Sequence, residues 1–251
     1  MSAAIATAPL LAGLGLLIGS FIGLVSVRLP AGEGIVAGRS RCGGCGRALD
    51  PRDLVPVLSF LLFRGRCRTC RAPIPRRYPL IELACAGIGL WAGLHEGAPV
   101  AGLVTALFGW ALLLIALIDG EHFWLPDVLT LPLLAGGLVV ATMLAPESLQ
   151  ARAIGAAVGF ASLWLIAYAY RRVRGREGMG GGDPRLFSAL GAWVGWTGLP
   201  SVLLWASAAG LSIVIAQLAV RRRVAGTDRL PFGVFLAIGG WMTWLYGPLG
   251  L

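Results

Sequence analysis

Long apolar runs recur along almost the whole chain, and no other feature of the sequence constrains its fold so strongly. A helix needs about 20 apolar residues to cross the hydrocarbon core of a bilayer. Apolar residues make up 57% of the 251 positions and charged residues only 13%, which is far from the composition of a soluble domain. Backbone groups in lipid must be hydrogen-bonded internally, so we expect an all-α polytopic membrane protein with about eight transmembrane helices.

Eight runs approach the length of a bilayer crossing. They cover residues 5–27, 79–94, 99–118, 127–145, 151–170, 184–198, 200–220 and 231–248. The second and the sixth are short, and they cross only if their ends extend or the bilayer thins locally. The predicted organisation is a first transmembrane helix at residues 1–27, a loop at 28–78, and a bundle of helices 2–8 at 79–251.

The basic residues, all of which are arginine, decide the predicted orientation. Eleven of the 21 lie between Arg28 and Arg77, five between Arg171 and Arg185, and four between Arg221 and Arg229. With eight spans these three segments lie on one side, which the positive-inside rule makes the cytoplasmic side. The same rule accounts for the net charge of +9, so we expect the lipid bilayer, and no nucleic acid, as a partner.

Four cysteines in the 28–78 loop form two C-x-x-C pairs, Cys42 with Cys45 and Cys67 with Cys70, separated by 21 residues. This spacing is typical of a structural zinc (Zn²⁺) site with four thiolate ligands. The alternatives are an iron–sulfur or redox site, or two disulfides. A cytoplasmic position disfavours persistent disulfides because that compartment keeps thiols reduced. We therefore predict a zinc-binding cytoplasmic subdomain between helices 1 and 2.

Acidic residues are few, and two of them, Asp119 and Asp183, are candidates for acid–base chemistry. Asp119 and Asp127 fall in the connection between the third and fourth runs, and Asp183 directly precedes the sixth. Two carboxyl groups from separate helix ends can converge across a bundle. In a cleft of low dielectric, repulsion then keeps one of them protonated while the other is ionised, as the hydrolysis of an amide requires. The alternative for Asp119 and Asp127 is helix capping or solvation at the level of the headgroups.

Two further features lie next to these acids or inside a span. Gly180 and Gly182 belong to the glycine run before Asp183 and either let an extended substrate approach the acid or form a hinge. Glu82 lies inside the second run, where an unpaired charge is costly. We expect this carboxyl to pair with Arg76 or Arg77, or to contact a bound ligand.

Other catalytic arrangements have little support in the sequence. Of the two histidines, His95 falls on the side opposite the acids, and His122 has no identifiable serine or cysteine partner. The sequence contains no H-E-x-x-H motif, which removes the usual helix of zinc proteases.

Several of these motifs match those of the prepilin peptidases, or type IV leader peptidases, which the chain resembles over nearly its full length. The matching blocks are Gly19-Ser20-Phe21, Arg28-Leu29-Pro30, both cysteine pairs, Arg64-Gly65-Arg66-Cys67, Tyr78-Pro79-Leu80-Ile81-Glu82, Ile118-Asp119, Leu125-Pro126-Asp127, the glycine run ending at Asp183, and Gly191-Ala192-Trp193. The chain departs from the usual pattern at Gly23 and at Pro184-Arg185.

The resemblance implies a membrane aspartic peptidase of the GxGD type, with Asp119 as the first catalytic aspartate, Asp183 as the second, and Asp127 as a supporting acid. Similar enzymes remove the leader from type IV prepilins or type II secretion pseudopilins on the cytoplasmic side. Many then methylate the new N-terminal residue with S-adenosylmethionine. A non-enzymatic transporter or assembly scaffold with a structural zinc loop is the alternative function.

Overall fold

The structure, a computed structural model, describes residues 2–35, 38–220 and 230–249. Within these residues it contains α helices, two short 3-10 turns and two isolated β-bridges. The helices are α1 (Ser2–Arg28), α2 (Leu58–Leu62), α3 (Arg77–His95), α4 (Pro99–His122), α5 (Asp127–Leu144), α6 (Leu149–Arg174), α7 (Asp183–Ala219) and α8 (Phe232–Tyr246). The predicted arginine cluster between Arg221 and Arg229 lies outside the described residues.

The chain divides into two compact units, Met1–Trp110 and Ala111–Leu251, and the boundary between them falls within α4. Five helical segments in the described part of the chain are long and apolar enough to cross a membrane. They are Ala6–Arg28, Pro99–His122, Asp127–Leu144, Pro146–Arg174 and Asp183–Ala219. The all-helical membrane architecture is therefore confirmed, whereas the count of eight crossings stays a prediction because α3 and α8 are not among these five.

In the first unit, α1 and α3 pack antiparallel along nearly their full lengths. Small residues make this possible, because a Cβ atom added at four glycines would overlap the backbone of the partner helix. The facing pairs run in opposite directions along the two helices: Ala8 with Gly93, Leu11 with Gly89, Gly15 with Cys85, and Gly19 with Glu82. Every part of α3 from residue 82 to 93 is therefore level with the apolar part of α1.

In the second unit, α7 reverses direction within its length. Its backbone breaks at Gly195, where φ is 74° and ψ is 172°. Before the break, Leu190 lies against Gly240 of α8, and after it Val202 lies against the adjacent Gly239. Both halves of α7 thus run beside the same part of α8.

The reversal agrees with two spans in this region but corrects their boundary. The sequence prediction placed it at residue 199, between the runs 184–198 and 200–220. The helix breaks instead at Gly195, because glycine adopts the positive φ that the turn requires. Pro200 lies near the start of the second half, where proline costs a helix least.

Candidate active site

Asp119 and Asp183 are brought together in the second unit. Asp119 lies near the carboxyl end of α4, and Asp183 is the first residue of α7. Each is only 5% exposed, and Leu125 packs against both Gly182, next to Asp183, and Gly233, next to the Asp119 carboxylate, so the two acids share one neighbourhood. Two buried acids that lie close together form the arrangement in which one proton is shared and water can be activated.

The amino end of α8 holds the Asp119 carboxylate. The backbone N–H of Val234 donates to Asp119 Oδ2 at 3.1 Å, and the N–H of Gly233 also donates to this carboxylate. A Cβ atom at Gly233 would lie 2.8 Å from the same oxygen. Sequence reasoning missed Gly233 and Val234, because backbone donors leave no mark in side-chain chemistry. The only signal was the Pro-Phe-Gly start of α8.

The glycine run before Asp183 is explained by close packing within the protein. A Cβ atom at Gly182 would lie 2.5 Å from the Cβ of Leu125. The backbone N–H of Gly180 donates to the Asp183 carboxylate, and a Cβ there would lie 3.2 Å from Asp183 Oδ2. Both glycines therefore let the loop close around the acid, whereas the substrate approach or hinge expected from the sequence stays a prediction.

Asp127, predicted as a supporting acid, forms an ion pair with Arg185. Arg185 Nη1 donates to Asp127 Oδ1 at 2.6 Å, and both side chains are about half exposed. Asp127 begins α5, and Arg185 lies in the first turn of α7. The contact thus links the start of α5 to the start of α7, the helix that carries Asp183.

Glu82 is buried in the first unit, where its contacts differ from those expected. The backbone N–H of Val57 donates to Glu82 Oε2 at 2.7 Å, and the Ser20 hydroxyl also hydrogen-bonds to this carboxylate. Arg77, one of the two predicted partners, donates to Ser26 Oγ. Glu82 therefore joins the 28–78 loop to the α1–α3 pair.

The four cysteines converge as the sequence predicts. Their sulfur atoms all lie within 4.8 Å of one another, and Cys42 Sγ is 3.7 Å from Cys70 Sγ. Tetrahedral zinc with bonds of about 2.3 Å requires sulfur atoms about 3.8 Å apart. The donor set therefore fits zinc, which Cys42, Cys45, Cys67 and Cys70 would hold while leaving no ligand position for substrate.

The two cysteine knuckles have the same backbone hydrogen bonds. In each, the first cysteine donates its N–H to the carbonyl five residues on, and its own carbonyl accepts the N–H four residues on. Gly46 and Arg71, whose N–H groups donate to the carbonyl of the first cysteine, have positive φ angles of 69° and 62°. The backbone N–H groups of Cys70 and Thr69 lower the pKa of Cys67 to about 6, which favours its thiolate form.

An ion-pair network braces the knuckles. Arg47 and Arg68, one from each knuckle, contact both Asp50 and Asp53, with Arg47 Nη2 2.7 Å from Asp53 Oδ2. Although burial raises the pKa of Asp53, the N–H of Asp50 and the Arg47 guanidinium bring that pKa below its usual range. These arginines therefore join the two knuckles through a shared pair of carboxylates.

A cavity of about 230 Å³ lies between α6 and the start of the glycine run. Its lining residues are Ile166, Ala167, Tyr170, Gly178 and Met179. Pockets for ligands of drug size measure about 300–1,000 Å³, and the lining offers no carboxylate for the ribose hydroxyls of S-adenosylmethionine. The cavity does not fit this methyl donor.

Comparison with known families covers most of the chain. Residues 14–95 match the model of the bacterial peptidase A24 N-terminal domain, and residues 106–215 match that of the type IV leader peptidase family. The first match contains the four cysteines and Glu82, and the second contains Asp119, Asp127 and Asp183. No solved structure matches the chain.

Curated relatives agree along nearly the whole length. A prepilin leader peptidase/N-methyltransferase of Burkholderia pseudomallei (strain K96243) is 42% identical over 93% of this chain and 84% of its own length. Proteins of the same name from Pseudomonas aeruginosa and Stutzerimonas stutzeri are 38% and 36% identical, each over 93% of this chain and over 88% and 89% of their own lengths. The resemblance expected from the sequence motifs is thus confirmed, and the chain belongs to the type IV leader peptidase family.

Proposed function

We propose that this chain is a membrane aspartic endopeptidase that removes the leader peptide from type IV prepilins or type II secretion pseudopilins. Its family membership supports the reaction class and the type of substrate. The observation that carries the proposal is that two buried carboxyl groups, Asp119 and Asp183, lie in one neighbourhood at the ends of separate helices, on either side of Leu125. Peptide hydrolysis without a metal or a nucleophilic side chain needs this pair.

The contacts of the two acids suggest a division of labour. Asp119 accepts two backbone N–H groups from the start of α8, whereas the Asp183 carboxyl accepts one, from Gly180. Hydrogen bonds from N–H donors stabilise a carboxylate relative to the protonated acid. We therefore assign Asp119 as the ionised base that takes a proton from water, and Asp183 as the acid that polarises the scissile carbonyl.

The helix ends that carry the acids adjoin arginine-rich sequence. Five arginines lie between Arg171 and Arg185, on either side of the glycine run. By the positive-inside rule this end faces the cytoplasm of a bacterial inner membrane. A leader peptide would therefore meet the two acids where its apolar helix enters the cytoplasmic leaflet.

The names of the relatives also support a second activity, N-methylation of the new N-terminal residue. S-adenosylmethionine would supply the methyl group, and we assign no residues to its binding. The four cysteines would hold a structural zinc ion that keeps the loop folded. A transporter or assembly scaffold is not favoured, because the relatives are named as peptidases.

The test is the cleavage of a purified prepilin by the full-length protein in detergent. Asp119→Asn and Asp183→Asn should each reduce cleavage by about a thousandfold or more, because neither amide can take the role of the lost carboxyl. Asp127→Asn, which replaces an exposed carboxyl paired with Arg185, is the comparison variant and should reduce cleavage far less. Mass spectrometry of the product reads leader loss and added methyl groups together. Robust cleavage by either variant of the pair would reject the assignment.

A further inference from the structure

The 28–78 loop contains an apolar segment that the zinc site does not explain. Residues 54–63 read Leu-Val-Pro-Val-Leu-Ser-Phe-Leu-Leu-Phe, ten consecutive positions without a charge. Apolar runs of this length are typical of buried core helices or of segments that lie in the membrane interface. The segment includes the short helix α2.

The segment is not buried in a core. Its exposed apolar side chains are Leu54 (42%), Val55 (42%), Leu58 (52%), Leu61 (65%) and Leu62 (68%). Five large apolar side chains so close together form a patch of the kind that marks an interaction surface.

The hydrogen bond between Val57 and Glu82 fixes the level of this segment relative to the membrane. Glu82 faces Gly19 of α1, nine residues before Arg28, and this is about 13 Å along a helix. Gly19 lies well inside the candidate span Ala6–Arg28. Because Val57 N–H reaches Glu82 at 2.7 Å, the loop returns from the cysteine knuckles to the depth of the apolar part of α1.

The backbone of the segment is suited to this depth. A backbone N–H or C=O group in or near hydrocarbon must find its hydrogen-bond partner within the protein. Ser59, Leu61 and Phe63 donate their N–H groups to carbonyls within the segment. Val57 has a positive φ of 59°, a strained conformation for a β-branched residue, and the Glu82 carboxylate satisfies its N–H.

Charges at both ends of the segment complement a lipid surface. Arg52 precedes it, and Arg64 and Arg66 follow it, all three of them exposed. Because these arginines lie beyond the ends of the segment, they can bind the phosphates of anionic headgroups while the leucines between them enter the acyl region.

We infer that residues 54–62 insert into the bilayer leaflet on the side of the zinc loop, anchored to the α1–α3 pair by Glu82. The partner of this surface is lipid, with anionic headgroups bound by the flanking arginines. The loop is therefore not wholly cytoplasmic, because one turn of helix dips from the knuckles into the membrane.

The test uses the full-length, zinc-loaded protein in vesicles of phosphatidylethanolamine and phosphatidylglycerol. A benzophenone amino acid replaces Leu61, and mass spectrometry identifies the adducts formed under light. The same replacement at Leu17 of α1, 60% exposed, is the lipid-facing control. Replacement at Arg39, whose side chain is 67% exposed, is the control on the knuckle side of the loop.

We expect position 61 to form lipid adducts at a level within about twofold of position 17, and position 39 to form at least about tenfold fewer. Adducts from position 61 to a second copy of the chain, or to residues 111–251 of the same chain, would overturn the inference. So would the absence of lipid adducts at position 61, or equal lipid labelling at position 39.

The role of Glu82 is tested in the same protein carrying the benzophenone at position 61. Glu82→Leu removes the acceptor for the Val57 N–H and should lower lipid adducts severalfold. Glu82→Gln keeps an acceptor oxygen and should preserve them. Zinc content, measured in parallel, reports whether the knuckles remain folded. Equal lipid labelling in the two variants would reject Glu82 as the anchor.

Discussion

The cysteine site and the acid site are built from different kinds of sequence information. The cysteine site takes its four ligands from two short knuckles with the same hydrogen-bond pattern. The acid site takes two carboxyls from positions 119 and 183 and backbone donors from a third helix, near residue 233. The first is therefore formed largely by local turns, whereas the second exists only when distant helices are packed correctly.

The difference teaches where glycine matters in each region. In the knuckles, Gly46 supplies a positive φ and meets open space. Around the acids, Gly182 and Gly233 matter because a side chain would collide with a neighbour. Substitutions at Gly46 and at Gly182 or Gly233 should therefore act through different physical causes, although Gly44 of the first knuckle is also closely packed, since a Cβ there would lie 2.7 Å from Ala72 Cβ.

The largest effect is expected from removing one zinc ligand. Structural zinc sites in small domains contribute about 10–16 kcal/mol to folding, so Cys67→Ser should abolish stoichiometric zinc and open the 28–78 loop to proteases. Cys85→Ala is the matched control, because Cys85 is buried in α3 apart from the cluster. Elemental analysis and limited proteolysis measure both effects. Wild-type zinc content in Cys67→Ser would show that the four thiols do not act as one site.

The next effect tests whether backbone donors position the acid. Gly233→Ala would place a Cβ atom 2.8 Å from Asp119 Oδ2, and displacement of a catalytic group by about 1 Å can cost a hundredfold in rate. We expect kcat for prepilin cleavage to fall about ten- to a hundredfold, with little change in KM.

Two control glycines separate this positioning effect from general disruption. Gly120→Ala adds a Cβ 3.5 Å from Val234 Cγ2, an ordinary contact, and should leave kcat nearly unchanged. Gly239→Ala overlaps the backbone at Val202 and perturbs the packing of α8 away from the acids. Should Gly239→Ala lower kcat as much as Gly233→Ala without destabilising the protein more, the positioning role of Gly233 would be wrong.

The features that depend on residues close together in the sequence, namely the cysteine cluster, the long helices and the candidate acid Asp183, could be predicted from the sequence. The C-x-x-C spacing located the four cysteines that the structure brings together, and the apolar runs located the long helices. The glycine motif pointed to Asp183, which the structure brings to Asp119. Sequence reasoning did not find the contacts that depend on tertiary packing: the Val234 donor to Asp119 and the Val57 contact of Glu82 join positions 115 and 25 residues apart. Nothing in local pattern encodes such pairs.

Within the glycine run, neighbouring positions should behave differently. Gly182→Ala places a Cβ 2.5 Å from Leu125 Cβ, whereas Gly181→Ala meets open space. Overpacking typically costs about 1–3 kcal/mol, so Gly182→Ala should lower thermal stability and cleavage, and Gly181→Ala should change neither appreciably. Thermal unfolding in detergent and prepilin cleavage are the measurements. Equal sensitivity at both positions would favour the hinge interpretation over close packing.

The smallest effect concerns the equivalence of the two knuckles. Gly46 and Arg71 occupy the same turn position with positive φ, and a residue with a side chain pays about 1–2 kcal/mol for this conformation. Gly46→Ala should therefore weaken zinc binding about five- to thirtyfold in a competition with a chelator. Arg71→Gly should change it less than about twofold, because relief of strain offsets the greater freedom of glycine in the unfolded chain. If Arg71→Gly weakened zinc binding as strongly as Gly46→Ala, the arginine side chain would be stabilising the second knuckle, and backbone geometry alone would not explain the site.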